Sequence, residues 1–191
     1  REDEFSAEEG QYVYYDNARA YMIEADGRYK RAIVNRHFRS SWDMYDRHLY
    51  PGGACRLHML RQELGDEIFW TAVQDYLKRF NGKVVETDDF RLVMEEHSGR
   101  TLGHFFDQWF YTPGYPQIKV TFRYEADKQQ GVFEIEQTQV DAEAGIPAFS
   151  FQTSVGWVLD GETHIQPLRI DQARQVCVVP LSKMPEQVRF D

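Results

Sequence analysis

The chain is 191 residues long, and its 42% hydrophobic and 15% aromatic content is enough for one large domain or two small ones. A formal net charge of −9 argues against nucleic acid or membrane partners, because both demand a positively charged surface. No apolar run approaches the roughly 20 residues of a membrane span, and two cysteines exclude a disulfide framework, so we expect a cytoplasmic protein.

The first part of the sequence has the apolar spacing of helices. Phe5 to Met22 predicts a first helix, and an extended or irregular passage from Ile33 to Trp42 follows it. From Ala54 to Leu64 the apolar residues recur every three or four positions, which predicts a second helix. Gly65 is expected to end it, since glycine readily takes the left-handed conformation found there.

Three further helices are predicted before residue 112. An apolar stripe from Ile68 to Phe80 predicts an amphipathic helix, with Asp66 and Glu67 placing negative charge at its N-terminal end. Thr87 is predicted as the N-cap of a helix that ends at Gly99, and Thr101 as the start of the last one. That last helix carries a stripe too large to leave in water: Leu102, Phe105, Phe106, Trp109 and Phe110.

Helical spacing stops at Thr112 to Pro116, where two prolines and a glycine fall within five residues. We place a domain boundary here, between residues 1–112 and residues 113–191. Beyond it, apolar and polar residues alternate as in half-buried strands. Asp160-Gly161 predicts a type I′ hairpin turn. The spacing predicts about six strands, which favours a small antiparallel β-sandwich.

The residues by themselves contain no complete active site. HExxH, CxxC, GxSxG and P-loop motifs are all missing. His58, His97 and His104 lack a ligand pattern, and we interpret them as structural. Cys55 and Cys177 lie in apolar stretches, as buried unreactive thiols do. We therefore predict no metal ligand and no cofactor-binding residue in the chain.

A series of short motifs, in a fixed order, nevertheless runs through residues 42–125. The motifs are Tyr50-Pro51-Gly52-Gly53-Ala54, Leu64-Gly65, Tyr76-Leu77, Thr87-x-x-Phe90, Ser98-Gly99, Phe105-Phe106-x-x-Trp109 and Gly114-x-Pro116. Each alone is common, but in this order and spacing they resemble the aminopeptidase N-like zinc metallopeptidases, the gluzincin aminopeptidases.

The resemblance implies an α+β fold. Residues 1–112 would be the mostly helical C-terminal lobe of a thermolysin-like catalytic domain, and residues 113–191 the β-sandwich that follows it. In this family the glutamate-rich substrate loop, HExxH and a later glutamate ligand all precede the tyrosine. The chain is thus expected to begin just after the last zinc ligand. Zinc and peptide substrates are expected for the full-length aminopeptidase, and neither zinc nor activity for this fragment alone.

Tyr50 is the catalytic residue that the resemblance implies. When water attacks a peptide carbonyl, the carbonyl oxygen gains negative charge and needs a hydrogen-bond donor. Phenols, whose ordinary pKa is about 10, stay protonated near neutral pH and can donate. Tyr45, five residues earlier, is a second candidate in the same cleft. Gly52 departs from the family pattern, which commonly has lysine two residues after the tyrosine.

Two alternatives remain open from the sequence. One is a catalytically dead relative retained as a peptidase-like scaffold or peptide-binding module. The other is an unrelated helical domain joined to an accessory β-sandwich.

Overall fold

A computed structural model describes residues 7–191, which form two compact units, one ending at Gly114 and the other spanning Tyr115–Asp191. Among these residues the first unit contains five α-helices and the second contains two antiparallel sheets. The predicted α+β class is therefore confirmed. None of the helices between residues 7 and 191 combines the length and apolar character that a bilayer crossing requires.

The helices follow the apolar spacing closely, with differences at their ends. They are α1 (Ala7–Gly27), α2 (Gly53–Leu64), α3 (Asp66–Phe80), α4 (Thr87–Ser98) and α5 (Gly103–Phe106). The first two residues of the helix predicted from Phe5 lie outside the described residues, and α1 continues five residues beyond Met22. Gly65 and Gly99 end α2 and α4 as predicted, with positive φ angles of 81° and 64°. Gly99 has the left-handed helical conformation, whereas Gly65, with a ψ angle of 156°, does not have the one predicted for it.

Two predicted helix starts were wrong by one or two residues. Glu86, not Thr87, is the N-cap of α4, because the Asp89 carboxylate reaches back to accept the Glu86 amide at 2.8 Å. The last helix begins at Gly103, not Thr101. The Leu102 amide donates to Glu95 Oε1 at 2.6 Å, which ties this residue to α4.

Aromatic rings join α3, α4 and α5 within the first unit. Tyr76 of α3 packs edge-on against Phe90 of α4 with 5.1 Å between ring centroids, and Phe90 contacts Phe106 of α5 at 6.3 Å. Phe106 then stacks on Phe110 at 4.7 Å, in a π-helical turn that continues α5. The predicted aromatic stripe from Leu102 to Phe110 is buried, with each of its five members less than 9% exposed.

Arg56 is buried in the first unit. Among the described residues, no carboxylate accepts a hydrogen bond from its guanidinium. It is 4% exposed and donates to the carbonyls of Gly52, Trp109 and Gly114 at 3.1 to 3.4 Å. Its guanidinium lies 4.2 Å from the centre of the Tyr21 ring. This single side chain therefore links α1, the start of α2 and the segment after α5.

The second unit contains six strands, the number that the alternation predicts. They are β1 (Ile118–Glu125), β2 (Gln130–Gln137), β3 (Phe151–Leu159), β4 (Glu162–Ile170), β5 (Arg174–Pro180) and β6 (Gln187–Phe190). One sheet has the order β1-β2-β5 and the other β4-β3-β6, and every pairing is antiparallel. Asp160 and Gly161, between β3 and β4, have φ angles of 55° and 75°, as a type I′ turn requires.

Both sheets contribute side chains to one core. Phe133 and Cys177 come from the first sheet and Val155 and Ile170 from the second, and all four belong to the same buried cluster. A shared core between two sheets is the arrangement of a β-sandwich. Cys177 is buried as expected, whereas Cys55 in the first unit is half-buried.

We predict that Arg56→Leu lowers the free energy of unfolding by about 2 to 4 kcal/mol, because buried carbonyls lose their donor. Urea unfolding followed by tryptophan fluorescence measures the change. The control is Arg100→Leu, which removes a half-exposed arginine paired with Glu63 and should cost less than about 1 kcal/mol. Equal losses in the two variants would contradict the role given to Arg56.

Candidate functional site

Tyr50 lies in a short helical turn, His48–Gly52, that leads directly into α2. In an α-helix the Arg47 carbonyl would accept a hydrogen bond from the amide four residues later, but that residue is Pro51, which has no N–H. The carbonyl instead accepts from the Gly52 amide at 2.9 Å, which gives the turn π-helical geometry. Pro51 thus sets the width of the turn that carries Tyr50.

Gly52 occupies a place with little room for a side chain. A Cβ at this position would lie 3.0 Å from the Tyr21 ring and 3.1 Å from the end of Ile33, and both neighbours are buried. A larger residue would have to displace one of them. This packing accounts for the glycine at the place where the resembled family commonly has lysine.

The two predicted catalytic tyrosines lie next to each other. The ring centroids of Tyr45 and Tyr50 are 6.0 Å apart, and Tyr45 also packs against Trp42 at 5.3 Å. All three side chains are more than 60% exposed. We call these three residues the aromatic face. Large exposed aromatic side chains in a cluster are typical of surfaces that bind a partner or substrate.

A groove of about 830 Å³ opens beside Tyr45, a size typical of ligand pockets. Its lining combines aromatic side chains with arginines and two acids, namely Tyr29, Phe38, Trp42, Arg28, Arg31, Arg39, Asp43 and Asp46. The mixture suits the apolar and carbonyl groups of a peptide.

Two buried carboxylates lie at the start of the turn that carries Tyr50. Glu24 of α1 accepts the Arg47 amide at 2.6 Å, and Asp46 accepts the Leu49 amide at 3.0 Å. The side chains of both acids are less than 10% exposed. Such amides at a helix start have no partner within the helix, so the carboxylates act as caps.

Basic side chains and one tyrosine balance these two acids. Arg31 contacts both oxygens of Asp46, with Nε–Oδ2 at 2.8 Å and Nη2–Oδ1 at 2.6 Å, and the Tyr29 hydroxyl donates to Oδ2 at 2.9 Å. Burial alone would raise the pKa of Asp46, but the hydrogen bonds from Arg31, the Leu49 amide and Tyr29 hold this pKa below its ordinary value. Asp46 is therefore ionised near pH 7. Arg28 donates to Glu24 at 3.0 Å.

His48 is buried beside the same acids. It is fully inaccessible, stacks on Tyr29 with 5.2 Å between ring centroids, and has Nδ1 3.4 Å from Asp46 Oδ2. Neither ring nitrogen makes a hydrogen bond within the described part of the chain. Burial lowers the pKa of His48 below its ordinary value of 6.5, and the nearby Asp46 only partly opposes this. The imidazole is thus neutral near pH 7.

Glu24, Asp46 and His48 are also close enough to raise the question of a metal site. Their ligand atoms lie within 4.8 Å of one another. A zinc ion needs free lone pairs on its ligands, yet both Asp46 oxygens are taken by Arg31, and Glu24 holds Arg28 and the Arg47 amide. Two arginines next to the cluster would also repel a cation. These three residues therefore do not fit zinc, and we interpret them as an ion-pair network.

Sequence reasoning identified Tyr50 and Tyr45 but missed the network behind them. An acid just before a helical turn is a recognisable cap signal, so Asp46 could have been found. Glu24 and Arg31 lie 22 and 15 residues before Asp46, and no local pattern links them to it. His48 and Arg56 gave no sign of burial, since polar residues are usually exposed.

The sequence matches the model of the Peptidase family M1 domain over residues 4–109, more than half of the chain. The chain belongs to this family. The predicted resemblance to aminopeptidase N-like metallopeptidases is thereby confirmed.

Curated aminopeptidases match about half of the chain. Glutamyl aminopeptidase of Bitis rhinoceros is 34% identical over 87 residues, which is 46% of this chain and 9% of that protein. Aminopeptidase N of Escherichia coli (strain K12) is 32% identical over 95 residues, 50% of this chain and 11% of the relative. The chain thus spans about a tenth of the length of the curated relatives it matches.

A solved structure matches more of the chain. The structure of Legionella pneumophila aminopeptidase A in complex with aspartic acid aligns with a TM-score of 0.60 and 22% identity. The alignment covers 81% of this chain and 18% of that one. At this identity the match supports the fold, and it extends beyond the M1 family match into the strands.

The lowered pKa of His48 predicts a pH dependence of stability. Below pH 6.5 the unfolded imidazole binds a proton that the folded one does not, so the free energy of unfolding falls as pH drops towards the folded pKa. Asp46 does not interfere, because its stabilising effect persists until pH falls below 3.8. We expect His48→Gln to flatten the decline between about pH 6.5 and 5.

Urea unfolding at several pH values tests this, with His164→Gln in the second unit as the control for losing one imidazole. Parallel pH curves for wild type and His48→Gln would contradict the assignment.

Proposed function

We propose that this chain is the tyrosine-bearing part of an M1 zinc aminopeptidase that removes N-terminal residues from peptides. The M1 match over residues 4–109 carries the proposal. It is supported by Tyr50, which the motif order assigns to the family's tyrosine position, which is exposed, and whose ring lies beside that of Tyr45, a residue of the groove. Residues 1–112 would complete the catalytic domain and residues 113–191 would form a separate β-sandwich domain.

Tyr50 would act as the oxyanion donor. Attack on a peptide carbonyl places negative charge on its oxygen, and a neutral phenol can donate a hydrogen bond to that oxygen. Tyr45 would line the same cleft. In the groove, Arg28 and Arg39 are well exposed, and although each pairs with an acid, Glu24 and Asp43 respectively, their remaining N–H groups could donate to a peptide's carbonyl or carboxylate groups.

Aminopeptidases of family M1 are zinc-dependent in general, and we place the zinc ligands of the proposed enzyme N-terminal to this chain. A bound zinc supplies the activated water. Both cysteines are free thiols, which agrees with the reducing cytoplasm as the compartment. Peptides are the proposed substrates.

A peptide-binding protein without catalysis is the second candidate, favoured by the same groove and aromatic face. The two candidates differ in the residues upstream. An HExxH motif followed by a glutamate ahead of this chain supports the enzyme, and an upstream M1 segment without those ligands supports the binding protein.

We predict that the 191-residue chain alone binds no stoichiometric zinc and hydrolyses no aminoacyl chromogenic substrate. A zinc centre needs about three protein ligands, and the clustered Glu24, Asp46 and His48 are committed to arginines and backbone amides. Metal analysis after dialysis against a weak chelator decides this point. One tightly held zinc per chain would show that the chain carries its own site.

In the intact enzyme, Tyr50→Phe should lower kcat about 10²- to 10³-fold with little change in KM. The hydroxyl would donate to the substrate oxygen only as negative charge develops there. Its loss would therefore weaken binding of the transition state and leave binding of the substrate unchanged. Tyr45→Phe is the matched control and should cost distinctly less. A Tyr50→Phe enzyme with full zinc content and a near-normal kcat would reject the role of Tyr50.

A further inference from the structure

The side chain of Tyr50 has little support of its own. It is 62% exposed, and its ring contact is with Tyr45, which is equally exposed. Within residues 7–191 its hydroxyl makes no hydrogen bond to the protein. A donor that must meet a developing charge has to be held to within about 0.5 Å. Within these residues, the backbone of the turn is the part of the structure that can hold Tyr50 in place.

The backbone of this turn is held by the two buried carboxylates. Glu24 accepts a hydrogen bond from the Arg47 amide at 2.6 Å, and Asp46 accepts one from the Leu49 amide at 3.0 Å. These two amides belong to the residues on either side of His48. Leu49 directly precedes Tyr50. The acids come from different segments, so they fix the turn relative to α1 as well as to the residues before it.

The carboxylates are themselves fixed by charged partners. Arg31 donates hydrogen bonds to both carboxylate oxygens of Asp46. It also donates to the carbonyls of Ala32 and Ile33 at 2.7 and 3.0 Å. Two-point contacts of this kind define the orientation of both planar groups. Burial strengthens each of these bonds, because water cannot compete for the groups.

We propose that Asp46 and Glu24 are positioning residues for Tyr50, with Arg31 and Tyr29 holding Asp46 in place. We call these two acids the carboxylate clamp. This inference rests on the proposed function of Tyr50. The clamp neither touches substrate nor donates a proton. It sets the position of the turn, and through it the reach of the phenol.

Asp46→Asn tests the clamp with the smallest change. Asparagine keeps Oδ1 for the Leu49 amide, but it loses the charge and the oxygen that accepts from Arg31 Nε and the Tyr29 hydroxyl. The matched control is Asp66→Asn. Asp66 has the same two-point contact with an arginine, Arg61, at 2.7 and 2.8 Å, but lies at the exposed start of α3.

The first measurement is amide hydrogen exchange in the 191-residue chain. Asp46→Asn should speed exchange at the Arg47, Leu49 and Gly52 amides about 10-fold or more, while amides within α3 keep their rates. Asp66→Asn should leave the three turn amides unchanged. Unchanged exchange at the turn in Asp46→Asn would overturn the clamp.

The second measurement is a double-mutant cycle in the intact enzyme. Asp46→Asn should lower kcat about 10- to 100-fold with little change in KM. In the Tyr50→Phe background it should cost less than about twofold, because the hydroxyl that it positions is already gone. Full additivity, with Tyr50→Phe itself impaired, would reject the positioning role and leave the proposed function intact.

A Tyr50→Phe enzyme with normal kcat would reject the proposed function, and the positioning role with it.

If Asp46→Asn does not fold, Tyr29→Phe replaces it. That change removes one hydrogen bond to Asp46 and keeps the aromatic ring that stacks on His48. It should lower kcat about threefold and again lose its effect beside Tyr50→Phe, and additivity would again overturn the clamp.

Discussion

A hydrogen bond that cannot form determines the shape of the candidate site. Pro51 has no amide proton to give to the Arg47 carbonyl, so Gly52 gives one instead and the turn widens by one residue. The Arg47 and Leu49 amides lie at the start of this turn, where amides have no partner within the turn itself. Glu24 and Asp46 supply the acceptors, and the rest of the buried network follows from that need.

Buried charge has a different role here from the charge on the surface. The chain carries many arginine–acid pairs on exposed helix faces, such as Arg61–Asp66 and Arg79–Glu96, and each contributes little in water. Arg31 and Asp46 are about as close to each other, but both are at most 10% exposed. Removing one partner of such a pair would leave an uncompensated charge in a medium of low polarity. A substitution in a buried pair is therefore expected to disrupt the local structure, not to adjust it slightly.

Local patterns predicted much of the fold and one part of the site. Apolar spacing identified the helices and six strands, because burial of one face imposes a period on the sequence. It failed at helix starts such as Glu86 and Leu102, where a single side chain from a neighbouring turn decides the boundary. Motif order located Tyr50. It could not show the contacts of Arg56 with Gly114, 58 residues away, or of Glu24 with Arg47, since spacing carries no information about residues so far apart.

The packing of Gly52 also bears on how this part of the family can change over time. Tyr21 and Ile33 fill the space that a side chain at position 52 would occupy. A lineage that acquires lysine there is favoured to change or shift the residue at position 21 or 33. The three positions should therefore co-vary in an alignment of M1 sequences, although they lie on α1, in the segment after α1 and in the turn that carries Tyr50.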